Sequence, residues 1–172
     1  MLDEVVGFLL EDENEPLLPC LMRVIRAAAT GDSMTPEAWD ASGLGALQTH
    51  CASLLKARLA TPARAEGDWS LDLPGDCTCE LCATLAGFLA ASDRTHLEWP
   101  LAKQRRRHVH EALDRHELPV RHETRRSGRP YTLVLTKTEE LFQREVAGRR
   151  RWRDDLEWLE ELEERSCHAR SP

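Results

Sequence analysis

The stretch Asp76-Cys-Thr-Cys-Glu-Leu-Cys82 places three of the chain's six cysteines within six residues, directly after the turn pair Pro74-Gly75. Three thiolates this close repel one another unless a cation neutralises them, and a divalent metal does so by binding the sulfurs deprotonated. Cys79-x-x-Cys82 has the spacing of a zinc knuckle, and Cys77 adds a third sulfur; tetrahedral zinc then needs one more N or S ligand. A thioredoxin-like use of Cys79-x-x-Cys82 requires a preceding strand and a long following helix in a β-α-β unit, and neither flank supplies them.

The fourth ligand is expected from the segment Leu101 to His116, which carries His108, His110 and His116. At about 100° per residue, His108 shares a stripe with Leu101 and Ala112, whereas His110 falls with Arg106, Arg107 and Asp114 on the polar side. His108 is therefore the first choice, with His110 expected to stay solvated and His110 or His122 as substitutes. Cys20 and Cys51 sit on apolar faces of expected helices and read as packing residues. Cys167-His168 reaches a metal only if the tail folds back.

The elements that must position these residues read as α+β, mostly α. Residues 1–60 read as a helical bundle, with one apolar stripe of Leu17, Leu21, Val24 and Ala28 and another of Leu44, Leu47, Cys51, Leu54 and Leu55. Between them Thr35-Pro36-Glu37 has the form of an N-cap followed by proline at the first helical position. Residues 61–75, with Pro62, Gly67, Pro74 and Gly75, read as a linker. Residues 76–138 read as a zinc-stapled module: a short helix after Cys82, a second helix opened by Trp99-Pro100 and closed before Pro119, then a β-hairpin around Ser127-Gly128. Residues 139–172 read as a long helix and tail, its stripe of Phe142, Val146, Trp152, Leu156 and Leu159 packing on the bundle or joining a partner helix, a second copy included.

The net charge of −7 hides a strong asymmetry. Residues 1–100 carry 6 basic and 16 acidic side chains, residues 101–153 carry 15 and 7, and residues 154–172 carry 2 and 7. The basic middle, Lys103, Arg105, Arg106 and Arg107 on the histidine helix with Arg125, Arg126, Arg129 and Lys137 by the hairpin, is a candidate nucleic-acid surface. Aromatic interleaving is nearly absent, so a single-strand stacking platform is not indicated. No apolar run is long enough to span a bilayer, and the acidic start resembles neither a signal peptide nor a basic targeting segment. A cytoplasmic protein with reduced cysteines is the expectation.

No nucleophile elbow, P-loop, dinucleotide fingerprint or His-Glu-x-x-His occurs. A hairpin followed by a helix is the outline of ββα metal-dependent nucleases, with His122 as base, but the helix after Lys137 offers no metal ligand. The segments "CTCELCATLAGFL", "KQRRRHVH" and "HETRRSGRPYTLVLTKT", followed by "LF", resemble a module of fungal and bacterial proteins, some of them related to 2-oxoglutarate/Fe(II) oxygenases. The resemblance implies an accessory domain, not the catalytic one: His96-Leu97-Glu98 has the local spacing of a facial triad but no surrounding barrel strands. The function expected is a structural zinc domain that binds a protein or nucleic acid, with a nuclease as the alternative.

Overall fold

The structure, a computed structural model, describes residues 17–30, 35–75 and 77–169, without the side chains of Pro36 and of residues 166–169. The expected acidic start and the Cys167-His168 side chains lie outside the described residues. The chain divides into two compact units, Met1–Pro62 with Ala147–Pro172, and Ala63–Val146.

The first unit is helical. It contains α1 (Leu18–Ala29), α2 (Pro36–Ala41), α3 (Leu44–Ala60) and the later turns of a long helix, α6 (Glu140–Ala169). Thr35 caps α2 as its sequence predicts: its hydroxyl oxygen accepts the Ala38 N–H at 3.2 Å, with Pro36 at the first helical position. Gly43, at φ +76°, takes the left-handed conformation that turns the chain into α3. The core joins Leu18, Leu21, Met22, Ile25, Trp39, Leu44, Leu47, Cys51, Leu55 and Leu159, and Trp152, Leu156 and Leu162 pack against it. Of the expected α6 stripe, Trp152, Leu156 and Leu159 thus serve this unit's core, whereas Phe142 meets the Trp69 ring edge-on in the other unit and Val146 is 67 % exposed. Two further expectations need correction. Val24 is 52 % exposed, because the buried face of α1 runs through Leu18, Leu21, Met22 and Ile25. Cys20 is also exposed, and Cys51 alone of the two is a packing residue, its thiol pushed up to about 11 by burial.

The second unit holds α4 (Glu80–Ala90), β1 (His96–Pro100), α5 (Lys103–Arg115), β2 (Val120–Arg125), β3 (Thr132–Lys137) and the first turns of α6. The expected hairpin is β2–β3, paired from Val120↔Lys137 to Arg125↔Thr132. A third strand was not expected: β1 pairs antiparallel with β3, from His96↔Thr136 to Pro100↔Thr132, giving the order β1-β3-β2. Trp99-Pro100 therefore closes a strand and α5 opens at Lys103. Pro100 is tolerated there because it ends an edge strand. Central β3 buries Leu133, Val134 and Leu135, and its sheet packs with Leu85, Phe88 and Leu89 of α4 and Val109 and Leu113 of α5. Each such side chain stabilises the fold by about 1.5–3 kcal/mol on burial.

Residues 63–75 contain no helix or strand, yet they are tied into this unit. The Trp69 and Leu71 N–H groups donate to the Ser92 and Leu89 carbonyls, each at 2.8 Å, and Arg64 holds Glu145 through its backbone N–H at 2.8 Å and its Nε at 2.9 Å. Lys137, buried to 3 % exposure, closes the assembly by donating from Nζ to the carbonyls of Trp69, Leu89 and Ala91, each at 2.7 Å. An ammonium with three donors thus satisfies two carbonyls at the end of α4, where a helix has none of its own partners left. Burial pulls its pKa below the ordinary lysine value. Among the described residues, no helix is long and apolar enough to cross a membrane.

Candidate metal centre

Cys77, Cys79, Cys82 and His108 converge, their ligand atoms all within 4.8 Å of one another. Each arrives on a different local device. Gly75, at φ +108°, turns the chain toward Cys77, and a Cβ there would sit 3.3 Å from His116 Nε2, so backbone conformation and space both call for glycine. Cys79 is the N-cap of α4, its Sγ accepting the Cys82 N–H at 3.4 Å. Cys82 lies on the buried face of the first turn of α4, and His108 faces it from α5.

His108 Nε2 lies 3.8 Å from Cys77 Sγ, 3.3 Å from Cys79 Sγ and 3.2 Å from Cys82 Sγ. A tetrahedral zinc with ordinary bond lengths separates its sulfur and nitrogen ligands by about 3.5 Å, which these distances bracket. Hydrogen bonding does not explain the cluster, because one ring nitrogen carries one hydrogen or one lone pair and cannot serve three sulfurs. The N-cap bond from Cys82 N–H draws the Cys79 thiol down to about 6, while burial pushes Cys82 up to about 12. The fold thus favours the thiolate at Cys79 and opposes it at Cys82, and a bound cation would draw the sulfurs to the thiolate form together. These four residues can hold a metal ion.

Comparison of the chain with protein-family models, curated proteins and solved structures finds no match. The metal centre is read from its own geometry.

The two substitute ligands lie in a cluster of their own. His110 Nδ1 and His122 Nδ1 are 2.6 Å apart, His110 Nε2 is 3.3 Å from Thr124 Oγ1, and His122 Nε2 is 3.2 Å from Asp114 Oδ1. His110 is half-buried, not solvated as its position on the helical wheel suggests, because β2 packs across that face of α5. Burial, then the neighbouring His122, lowers its pKa. Sequence reasoning missed this pairing, although the alternation of Val120, His122 and Thr124 places His122 and Thr124 on one face of β2.

The basic residues separate into two groups. Arg106 is buried, and its Nη1 donates to the Leu101 and Tyr131 carbonyls while its guanidinium lies 5.3 Å from the Tyr131 ring centre. Lys137 is buried as described. Neither presents a free cation to a phosphate backbone, which corrects the expectation for both. Arg105 pairs with Glu80 at 2.7 Å, Arg107 with Glu111 at 2.6 Å, and Arg125 grips both oxygens of Glu98 at 2.9 and 2.8 Å. Lys103, Arg126 and Arg129 have no hydrogen-bond or ion-pair partner among the described residues. From Glu140 to Arg165, α6 carries no histidine or asparagine that could serve the nuclease outline as a metal ligand.

Proposed function

We propose that residues 63–146 form a structural zinc module serving as a binding or adaptor domain in a reducing, cytoplasmic setting. The observation that carries the reading is three sulfurs gathered around one imidazole nitrogen. Thiolate and imidazole donors in tetrahedral array favour zinc over magnesium or calcium, and a shell closed by four protein ligands leaves no position for substrate or activated water. The metal would take the place of core volume, fixing Cys77 against α4 and α5. His96 and Glu98, the fragment with facial-triad spacing, lie on one exposed face of β1, with Glu98 bound to Arg125. This fits an accessory domain, as the sequence resemblance implies.

A protein partner suits the module better than nucleic acid. Five of the eight expected phosphate-binding cations are engaged with carbonyls or glutamates, leaving three, and three phosphate contacts predict a salt slope of only about −2.7 on duplex DNA. Elemental analysis of protein purified without added metal tests the centre: one zinc per chain is expected. A stoichiometry near zero, with folding unchanged by a chelator, would reject it. Titration with a duplex at two salt concentrations tests the partner, and tight, steeply salt-dependent binding would overturn the protein reading.

A further inference from the structure

Arg106 is a buried guanidinium with no carboxylate to balance it among the described residues. Its hydrogen-bond partners are carbonyl oxygens, and its nearest aromatic neighbour is Tyr131. Burying a charge without an opposite charge is costly, and such a group normally finds a counter-ion. Arg106 forms part of an open pocket of about 530 Å³ between α5 and the end of the β2–β3 hairpin. Lys103 and Arg126 line the same pocket without partners among the described residues; Arg107 lines it too, its charge met by Glu111. Among the described residues the only acidic one lining it, Glu111, is therefore already used, and the pocket keeps an excess of positive charge from Lys103, Arg106 and Arg126.

Two further features point the same way. The N-terminus of α5 is uncapped: Ala102 supplies no side-chain hydrogen bond and the first turn holds no acidic residue, so its free N–H groups add positive potential at the pocket's edge beside Lys103. His110 and Thr124, 3.3 Å apart at Nε2 and Oγ1, line the wall and offer neutral polar contacts. Their geometry is held from behind by His122 and Asp114.

We propose that this pocket binds the phosphate group of a small phosphomonoester. A carboxylate would leave most of the positive charge unmet, whereas a phosphate dianion matches it and accepts from guanidinium, ammonium and hydroxyl together. A nucleic-acid strand needs a track of unpaired cations. Here the neighbouring arginines Arg105 and Arg125 are committed to Glu80 and Glu98, so of the unpaired cations expected to face a phosphate only Arg129 lies outside the pocket, which is too little to extend it into a track. The inference rests on the zinc module proposed above, since α5 carries both His108 and two of the pocket's cations, Lys103 and Arg106.

The test uses the full chain with its metal content measured first, so that a failed metal fold and an empty pocket are told apart. Calorimetric titration at low ionic strength with inorganic phosphate and with a nucleoside 5′-monophosphate is expected to give saturable binding of at least one. Lys103→Gln and Arg126→Gln, both surface changes, are each expected to weaken it roughly tenfold, with zinc content and melting temperature unchanged. Absence of saturable binding by zinc-loaded protein, or variants that bind as tightly as the parent, would overturn the proposal. Affinity that climbs with the length of a single-stranded oligonucleotide, without binding of the monophosphate, would overturn it in favour of a nucleic-acid track.

Discussion

The two units of this chain are built on different physical principles. In the first, ten buried apolar side chains make a continuous core; Gln48 donates from Nε2 to the Leu159 carbonyl at 3.0 Å, and the Trp39 Nε1 and His50 Nε2 atoms are buried without a partner among the described residues. In the second, the core is of similar size but its margins are polar: a buried ammonium, a buried guanidinium and a cysteine–histidine cluster. Apolar burial is non-directional, so the first unit tolerates exchange of one apolar residue for another of similar volume. Buried polar groups are directional and costly when left unmatched, so the second unit depends on individual partners. The same difference separates what is replaceable from what is specific, and the specific groups gather around α5.

The largest expected effect is removal of the metal. Structural zinc can contribute on the order of 10 kcal/mol of apparent folding free energy, comparable to the whole stability of an ordinary domain. Chelation, or His108→Ala, is therefore expected to abolish amide protection at Val109, Leu113, Leu133 and Leu135 while Ile25 and Leu55 stay protected. Hydrogen exchange read by mass spectrometry checks this. Equal loss in both units, or none in either, would break the comparison at its root.

How much of this was legible in the sequence follows from how local each determinant is. The cysteines and His108 were legible because x-x spacing and helical period act over a few residues. The Thr35 cap and the β2–β3 hairpin were legible for the same reason. β1 was not: only Leu97 and Trp99 alternate, the strand borrows its hydrogen bonds from β3 far along the chain, and Pro100 reads more naturally as the start of a helix. Lys137 and Arg106 were misread as surface cations because nothing nearby in the sequence shows that α4 ends at one and the Leu101 and Tyr131 carbonyls meet the other. Val24 failed through a small error of phase, the stripe through Leu17, Leu21, Val24 and Ala28 lying one edge away from the one that packs.

Substitutions of intermediate effect sharpen the contrast. Leu55→Ala should cost about 2–5 kcal/mol through the cavity it leaves in the first unit, with zinc content unchanged. Lys137→Met keeps the apolar stem but takes the ammonium donor from the Trp69 and Ala91 carbonyls, the Leu89 carbonyl keeping the Leu71 N–H, and should cost roughly 1–3 kcal/mol, lowering protection in the second unit alone. Denaturant melts followed by exchange at Leu55 and Leu133 would separate the two. A Lys137→Met protein as stable as the parent would show that the carbonyls find other partners and that the second unit is less exacting than its hydrogen bonds imply. Around the metal, the spread between Cys79 at about 6 and Cys82 at about 12 predicts chemical order. At neutral pH, zinc-free protein should be alkylated at Cys79 well before Cys82, since the thiolate is the nucleophile, and added zinc should protect both. Peptide mapping that finds Cys82 modified first would contradict that order.

The smallest effect expected lies on the outer face of the sheet, where the second unit behaves like any solvated surface. Arg125 beside Glu98, with His96 adding to it, holds the Glu98 carboxyl below the usual glutamate range. The folded pKa is depressed, so whatever stability this pair adds is present above the unfolded value of about 4.3 and disappears as pH falls through the folded one. Both side chains are about half exposed, at 51 % and 45 %, and exposed pairs contribute little. Arg125→Gln should therefore raise the Glu98 pKa in an NMR titration toward the ordinary value while leaving the melting temperature at neutral pH nearly unchanged. A large loss of stability from this change would mean that the directional demands of the second unit extend to its solvent face, and the line drawn between replaceable surface and specific interior would have to move.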